Sequence, residues 1–143
     1  MTDKTLEAKA YQLSTQVGYN LRRANQRHLA IFAKHVEGLT PTQFAALARL
    51  YESGTLSQNK LGRLTAMDSA TIKGVVERLR GKELVASHAD LSDQRLRMVQ
   101  LTDLGKETFE RAQHQALAAR QETVAPLTAD ETKTLEALLT KLI

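Results

Sequence analysis

The sequence predicts a mainly α-helical chain with one small β-hairpin, an α+β class. Three observations predict it. Gly (7) and Pro (2) are scarce among 143 residues, so few positions interrupt a helix. Apolar residues recur at helical spacing through most of the chain. Only near residues 85–101 does the period fall to two, the signature of a half-buried strand.

From about Thr5 to Lys34, residues Leu6, Ala10, Leu13, Val17, Leu21, Ala24 and Ile31 step by three, four or seven and form one helical stripe. Nearly 30 residues is long for a helix of a small domain. Such a helix is expected to lie across a partner, which predicts an oligomer. At Leu39-Thr40-Pro41-Thr42-Gln43 the chain supplies an N-cap, a proline for the first helical position and a Thr-x-x-Gln capping box. Phe44, Leu47, Ala48 and Leu50 give that helix its apolar face, and Gly54 ends it.

Ser57 caps a third helix that carries Leu61 and Leu64. After a break at Ala66-Met67, Asp68 caps a fourth, whose buried face is Ile72, Val75, Val76 and Leu79. Its other side shows Ser69, Thr71, Lys73, Gly74, Glu77 and Arg78, and Leu84 closes the segment after Gly81-Lys82. Val85 opens an extended run, Arg97-Met98-Val99-Gln100-Leu101 alternates, and the turn formers from Ala89 to Arg95 lie between them. Thr102 caps a fifth helix that runs to about Val124, where Pro126 stops it. Thr128-Ala129-Asp130-Glu131 is a second capping box. It opens a last helix bearing Leu135, Leu138, Leu139, Leu142 and Ile143, a face too apolar to leave in water.

Composition removes several function classes. With no Cys there is no disulfide framework, thiolate metal site or thiol switch. Aromatics are 4% and Trp is absent, which supplies a base-stacking surface poorly. No signal-like apolar run opens the chain, and no segment approaches the ~18 apolar residues of a membrane span, so a cytoplasmic protein is expected. Net charge is +4 and unevenly spread. Residues 1–102 carry 15 basic and 9 acidic side chains, against 5 and 7 in the remainder, which points to a polyanion partner for the first two-thirds.

Two short helices, a tight turn, a third helix with its own cap and a basic hairpin follow the order of a winged helix-turn-helix. A helix fits the major groove of B-DNA, and its N-terminal residues meet base edges. Ser69, Thr71 and Lys73 are donors at that end, with Arg78 further along. Arg95 at the hairpin tip suits a neighbouring minor groove, with Arg97 behind it. Ser57, Lys60 and Arg63 suit phosphates. Taken singly, Arg95 and Arg97 read more readily as solvated hairpin charges, and Ser69, Thr71 and Lys73 also read as ordinary surface residues; the surrounding sequence is what distinguishes them.

The run Asp90-Leu91-Ser92-Asp93-Gln94-Arg95-Leu96-Arg97-Met98-Val99-Gln100-Leu101-Thr102-Asp103-Leu104-Gly105 resembles the wing signature of MarR-type transcriptional regulators. Leu39 to Phe44 resembles the start of that family's second helix, and Asp68 to Leu84 its recognition helix and exit. Leu91 stands where many members have proline. The resemblance spans essentially the whole chain, 1–143, as one domain. It implies a homodimer joined through about 5–36 and 103–143, with 39–102 as the DNA-binding part. It further implies that Asp93 braces the wing, that Arg95 enters the minor groove, and that a small aromatic acid is sensed.

For such an acid the residues offer Tyr19, Asn20, Arg23 and His28, polar interruptions beside the first helix's apolar stripe. Each also reads as an interface or solvated residue. His28, His35, His88 and His114 are dispersed, so no metal site is expected, and no cofactor. Nothing assembles a nucleophile, base and oxyanion site or a phosphate loop, so an enzyme is not expected. The expectation is a homodimeric repressor released from a pseudo-palindromic operator by a small aromatic acid such as a hydroxybenzoate or hydroxynicotinate. A ligand-independent regulator or activator, and a helical protein-interaction module, remain the alternatives.

Overall fold

Every α-helix but the first begins where a side-chain oxygen accepts from its unpaired N–H groups. In the computed structural model, which describes residues 10–143, a 3-10 turn at Leu13–Thr15 precedes α1 (Val17–His35). Then follow α2 (Pro41–Ser53), β1 (Leu56–Ser57), α3 (Gln58–Leu64), α4 (Ser69–Gly81), β2 (Val85–Ala89), β3 (Arg97–Leu101), α5 (Asp103–Thr123) and α6 (Ala129–Lys141). Thr40 and Gln43 close their capping box, as do Thr128 and Glu131. Ser57, Asp68 and Thr102 accept from the N–H of Lys60, Thr71 and Gly105.

The first helix is shorter than the apolar stripe suggests. It starts at Val17 rather than near Thr5; Leu6 lies outside the described residues. Gln16 is extended, at φ −83° and ψ 130°. Polar side chains around its start take backbone groups for themselves: the Thr15 hydroxyl and the Gln16 amide donate to Gln12 O, and Asn20 Nδ2, from the first turn, donates to Ser14 O. Such local bonds compete with the helical ladder.

The expected hairpin is present, with Val85 opposite Leu101 and Ala89 opposite Arg97. A third strand joins it unannounced. Leu56 pairs with Val99 and Ser57 with Met98, giving the antiparallel order β1-β3-β2. Both edges of β3 are therefore filled at its apolar centre, Val99, which is fully buried.

The core lies between the helix-turn-helix and the sheet. Leu47, Leu61, Ile72, Val75, Val76, Leu79 and Val99 are its most enclosed side chains. Phe32, Phe44, Phe109 and Tyr51 continue it between α1, α2 and α5, with successive ring centroids 5.9, 5.4 and 4.7 Å apart, all edge-on. α1 is fastened to the end of α5 by polar contacts. Arg27 donates to the carbonyls of Glu122 and Thr123, capping the helix C-terminus with a cation. Lys34 and His35 both reach the Glu122 carboxylate. Lys34 foremost, then His35, holds that carboxyl below its usual range.

One face is left open. Leu135, Leu138, Leu139, Leu142 and Ile143 of the last helix and its end are exposed, as are Tyr11, Leu13, Val17 and Leu21 at the other terminus. Among the described residues, no helix is long and apolar enough to cross a membrane.

Candidate nucleic-acid interface

Helix α4 is fixed by its apolar side and bare on the other. Ile72, Val75, Val76 and Leu79 are at most 2% exposed. Ser69, Ala70, Thr71, Lys73, Glu77 and Arg78 face solvent. The preceding turn sets where that face points. Ala66 takes a left-handed conformation at φ +56°, and Met67 N donates back to Gly62 O at 2.9 Å. Gly62 permits the close approach of α3 to α4: a Cβ there would lie 3.1 Å from Ile72 Cγ2 and from Met67 O. Asp68 Oδ1 accepts from Thr71 N at 2.7 Å, a bond that holds its carboxyl below the usual value. The first turn of α4 is thereby pinned while Ser69 and Lys73 keep their donors free.

Arg78 is turned back along α4. Its Nη1 would stand 3.4 Å from a Cβ at Gly74, so the guanidinium lies over that glycine, towards the helix N-terminus. This adds a cation to the donor face. Lys60 and Arg63 are exposed on α3, and Ser57 caps that helix with its hydroxyl oxygen while its proton remains available.

The hairpin tip is organised by two carboxylates. Asp90 Oδ2 accepts from Ser92 N, Ser92 Oγ and Asp93 N, an Asx turn, and Asp90 N donates to Leu96 O. Asp93 receives the Nε and Nη2 of Arg95 at 3.0 and 3.2 Å, and Arg95 N as well. The pair aims the guanidinium but does not cover it: the Arg95 side chain is 90% exposed. Leu91 is fully exposed at the apex, and Arg97 is exposed where β3 begins.

Both tip carboxyls are held below their ordinary range, Asp93 by the Arg95 side chain and Asp90 by the Ser92 hydroxyl. A carboxyl with a lowered folded pKa contributes order above its unfolded value, near 3.9, and loses it as pH falls through the folded one. The turn amides of Asp93 and Arg95 are therefore expected to keep their protection at pH 5 and lose it only below about pH 4. Amide exchange by NMR checks this; loss already at pH 5 would remove the carboxylates as the cause.

The four candidate ligand contacts are spread along α1. Both Arg22 and Arg23 place their guanidinium carbon 5.6 Å from the Tyr19 ring centroid. Asn20 is engaged with Ser14 O. His28 lies more than two turns on, its Nδ1 2.9 Å from Thr123 Oγ1 and its ring 6.2 Å from Phe32. Tyr19 and Arg23 thus meet, whereas His28 belongs to the α5 contact. None of the four lines the groove of about 610 Å³ that runs from Leu29 to Lys82. Among the described residues, no group of three or more His, Cys, Asp or Glu is arranged to hold a metal ion.

Sequence reasoning read Gln43 only as half of a capping box and Lys82 only as part of an exit turn. Gln43 is 4% exposed. Its Oε1 accepts from Thr40 N and also from Lys82 Nζ at 2.9 Å, and Lys82 donates again to Gly38 O at 2.5 Å. The signal is weak: a capping glutamine in the first turn of α2 followed far downstream by a lysine.

Comparison with known proteins gives a consistent neighbourhood. A family profile described as "MarR family" matches residues 39–96. The HTH-type transcriptional repressor NicR of Pseudomonas putida is 38% identical over 140 residues, covering 96% of this chain and 89% of its own. A crystal structure described as a "probable transcriptional regulator" of Pseudomonas aeruginosa is 49% identical, with a TM-score of 0.89 over 92% of this chain and all of that one. BpsR of Bordetella bronchiseptica is 38% identical, with a TM-score of 0.89 over 94% and 97% of the two chains. Its structure is described as a mechanism for regulation of DNA binding by 6-hydroxynicotinic acid.

Proposed function

This chain belongs to the MarR family of transcriptional regulators, and from that premise we propose that it is a homodimeric repressor of double-stranded DNA, released by a small aromatic acid. One observation carries the DNA-binding part: α4 is held rigidly by a buried apolar face while Ser69, Thr71, Lys73 and Arg78 stand bare on the opposite one. In this reading Ser69, Thr71, Lys73 and Arg78 meet the major groove, and Ser57, Lys60, Arg63 and Arg97 take phosphates. Asp93 orients Arg95 into the adjacent minor groove, where a narrow tract attracts a guanidinium. Two α4 helices about 34–36 Å apart would read half-sites about 10 bp apart.

The apolar ends of the chain form the dimer contact, and Tyr19, Asn20, Arg23 and His28 are the proposed contacts for an acid such as a hydroxybenzoate or hydroxynicotinate. The relative BpsR, whose DNA binding is described as regulated by 6-hydroxynicotinic acid, supports that class of effector. The effect is a population shift: an acid that binds better to a dimer with displaced α4 helices weakens DNA binding by its differential affinity.

The test is binding of the purified protein to its own upstream intergenic DNA at two salt concentrations, with and without hydroxybenzoates and 6-hydroxynicotinate. Saturable, salt-sensitive binding relieved by one acid is expected. No specific binding there or on a genomic fragment library would sink the reading. Arg95→Ala is expected to weaken operator binding about tenfold, or about 1.4 kcal/mol, with fold and dimer intact. Unchanged affinity would take the wing out of recognition.

A further inference from the structure

The apex of the hairpin carries an apolar side chain that the fold does not use. Leu91 is 101% exposed, so it packs against nothing in its own chain. A lone leucine in water is ordinary on a protein surface. Its mounting sets this one apart. Asp90 Oδ2 accepts from Ser92 N at 3.2 Å, Ser92 Oγ at 2.6 Å and Asp93 N at 3.0 Å, which ties the chain around Leu91 on both sides. Asp90 N donates to Leu96 O at 2.9 Å and closes the loop at its base. Leu91 and Arg95 are the first and last residues inside that closed loop, and the Arg95 side chain is 90% exposed. Between them stand only Ser92, Asp93 and Gln94, all polar. One rigid tip therefore presents a guanidinium and a single bare aliphatic group.

We propose that Leu91 is a wedge: it enters the minor groove beside Arg95 and inserts at a base-pair step, partly unstacking it and kinking the duplex. This rests on the DNA-binding reading above, in which Arg95 reaches that groove. The two side chains divide the work by chemistry. The guanidinium answers the negative potential of a narrow groove. The leucine makes no hydrogen bond, and its match is the apolar base face that appears only when a step opens. The mounting matters here, because a wedge on a slack loop would fold aside instead of parting a stack.

A wedge selects sequence without touching a base edge. Pyrimidine–purine steps, TA and CA/TG, are the easiest to kink. Leu91 is thus a specificity-determining residue, reading deformability at a position outside the reach of α4. Opening a step costs about as much as burying a leucine returns. The signature is therefore the shape and sequence of the bound DNA more than the affinity.

The test uses the full-length protein and its own upstream intergenic DNA, footprinted to locate the site. Circularly permuted fragments read the bend by gel mobility, and a library with both flanks of the site randomised reads the preference. Wild type is expected to kink the DNA by about 20° or more at each wing. Selected flanks should carry TA or CA/TG at one fixed position in each half-site. Leu91→Ala is expected to lose both the kink and the enrichment, while the Kd for the natural site changes by less than about threefold. Its melting temperature should not move, since Leu91 touches nothing. Leu91→Met, another apolar side chain of similar reach, should keep both readouts.

Straight DNA under the bound wild type overturns the wedge. So does a kink or a step preference that survives Leu91→Ala, or that Leu91→Met loses. A rise in Kd of tenfold or more in Leu91→Ala would make Leu91 an affinity contact instead. In each of these cases specific binding by the wild type leaves the function proposed above standing. If the wild type binds no specific DNA, that function fails and the wedge falls with it.

Discussion

Replacing Gly105 with alanine is expected to lower the melting temperature by roughly 10 °C at fixed protein concentration, the equivalent of about 3 kcal/mol for a chain of this size. A Cβ at that position would sit 1.9 Å from Leu84 O and 2.9 Å from Leu84 C, both backbone atoms. No side-chain rotation relieves such a clash. The neighbourhood cannot easily retreat either. Leu84 O accepts from Thr102 N at 3.1 Å, the Thr102 hydroxyl donates to Glu83 O at 2.7 Å, and the Thr102 hydroxyl oxygen accepts from Gly105 N at 2.9 Å. Making room breaks this knot, which joins the exit of α4, the base of the hairpin and the first turn of α5. Thermal unfolding by circular dichroism checks it. A shift under 2 °C would mean that the knot gives way at little cost.

Removal of residues 125–143 is expected to leave a monomer. The deletion takes away Leu135, Leu138, Leu139 and Leu142, each at least 36% exposed in the single chain. If the second subunit buried the rest of these four side chains, the lost burial would amount to roughly 4 kcal/mol per subunit and about 8 kcal/mol per dimer, at about 1 kcal/mol for each partly exposed leucine. That is about a millionfold in the dimer dissociation constant. The cut also removes internal contacts, including the Arg120–Glu136 ion pair and the buried Thr132. The double substitution Leu138→Glu and Leu142→Glu therefore serves beside it, since both side chains point away from the subunit core. Sedimentation velocity reads the outcome. A stable dimer in both proteins would refute this interface and shift the contact to the first helix alone.

Local chemistry was the legible part of this fold. Thr40 with Gln43, Ser57, Asp68, Thr102, and Thr128 with Glu131 all cap the helices they announce, because a cap is a contact over three residues. The alternation at Arg97–Leu101 likewise becomes β3. Strand β1 was invisible: two residues have no period, and its pairing partner is more than 40 residues away. The start of α1 is not legible in the sequence because the apolar stripe runs on through a segment whose Thr15, Gln16 and Asn20 side chains hold the backbone in another shape. In the site, the exposed donors of α4 and the Asp93–Arg95 pair lay in contiguous sequence. The Gly38–Gln43–Lys82 link joins residues about 40 apart and left no local trace. Nor did the left-handed Ala66 and Glu83, which turn the chain on either side of α4.

The knot at Leu84, Thr102 and Gly105 also has a mechanical meaning. It welds the hairpin base to one end of α5, and that helix is 21 residues long. At 1.5 Å per residue it is a rod of about 32 Å, so a tilt of about 5° about the weld swings its far end by about 3 Å. That far end is where Arg27, Lys34 and His35 grip it. Read in the other direction, the rod is a reducing gear. A displacement of an ångström or two at the grip reaches the hairpin as a rotation of only a few degrees, with almost no translation at the pivot. Motion originating among the terminal helices would therefore re-aim Arg95 without dragging the sheet off its seat against the core.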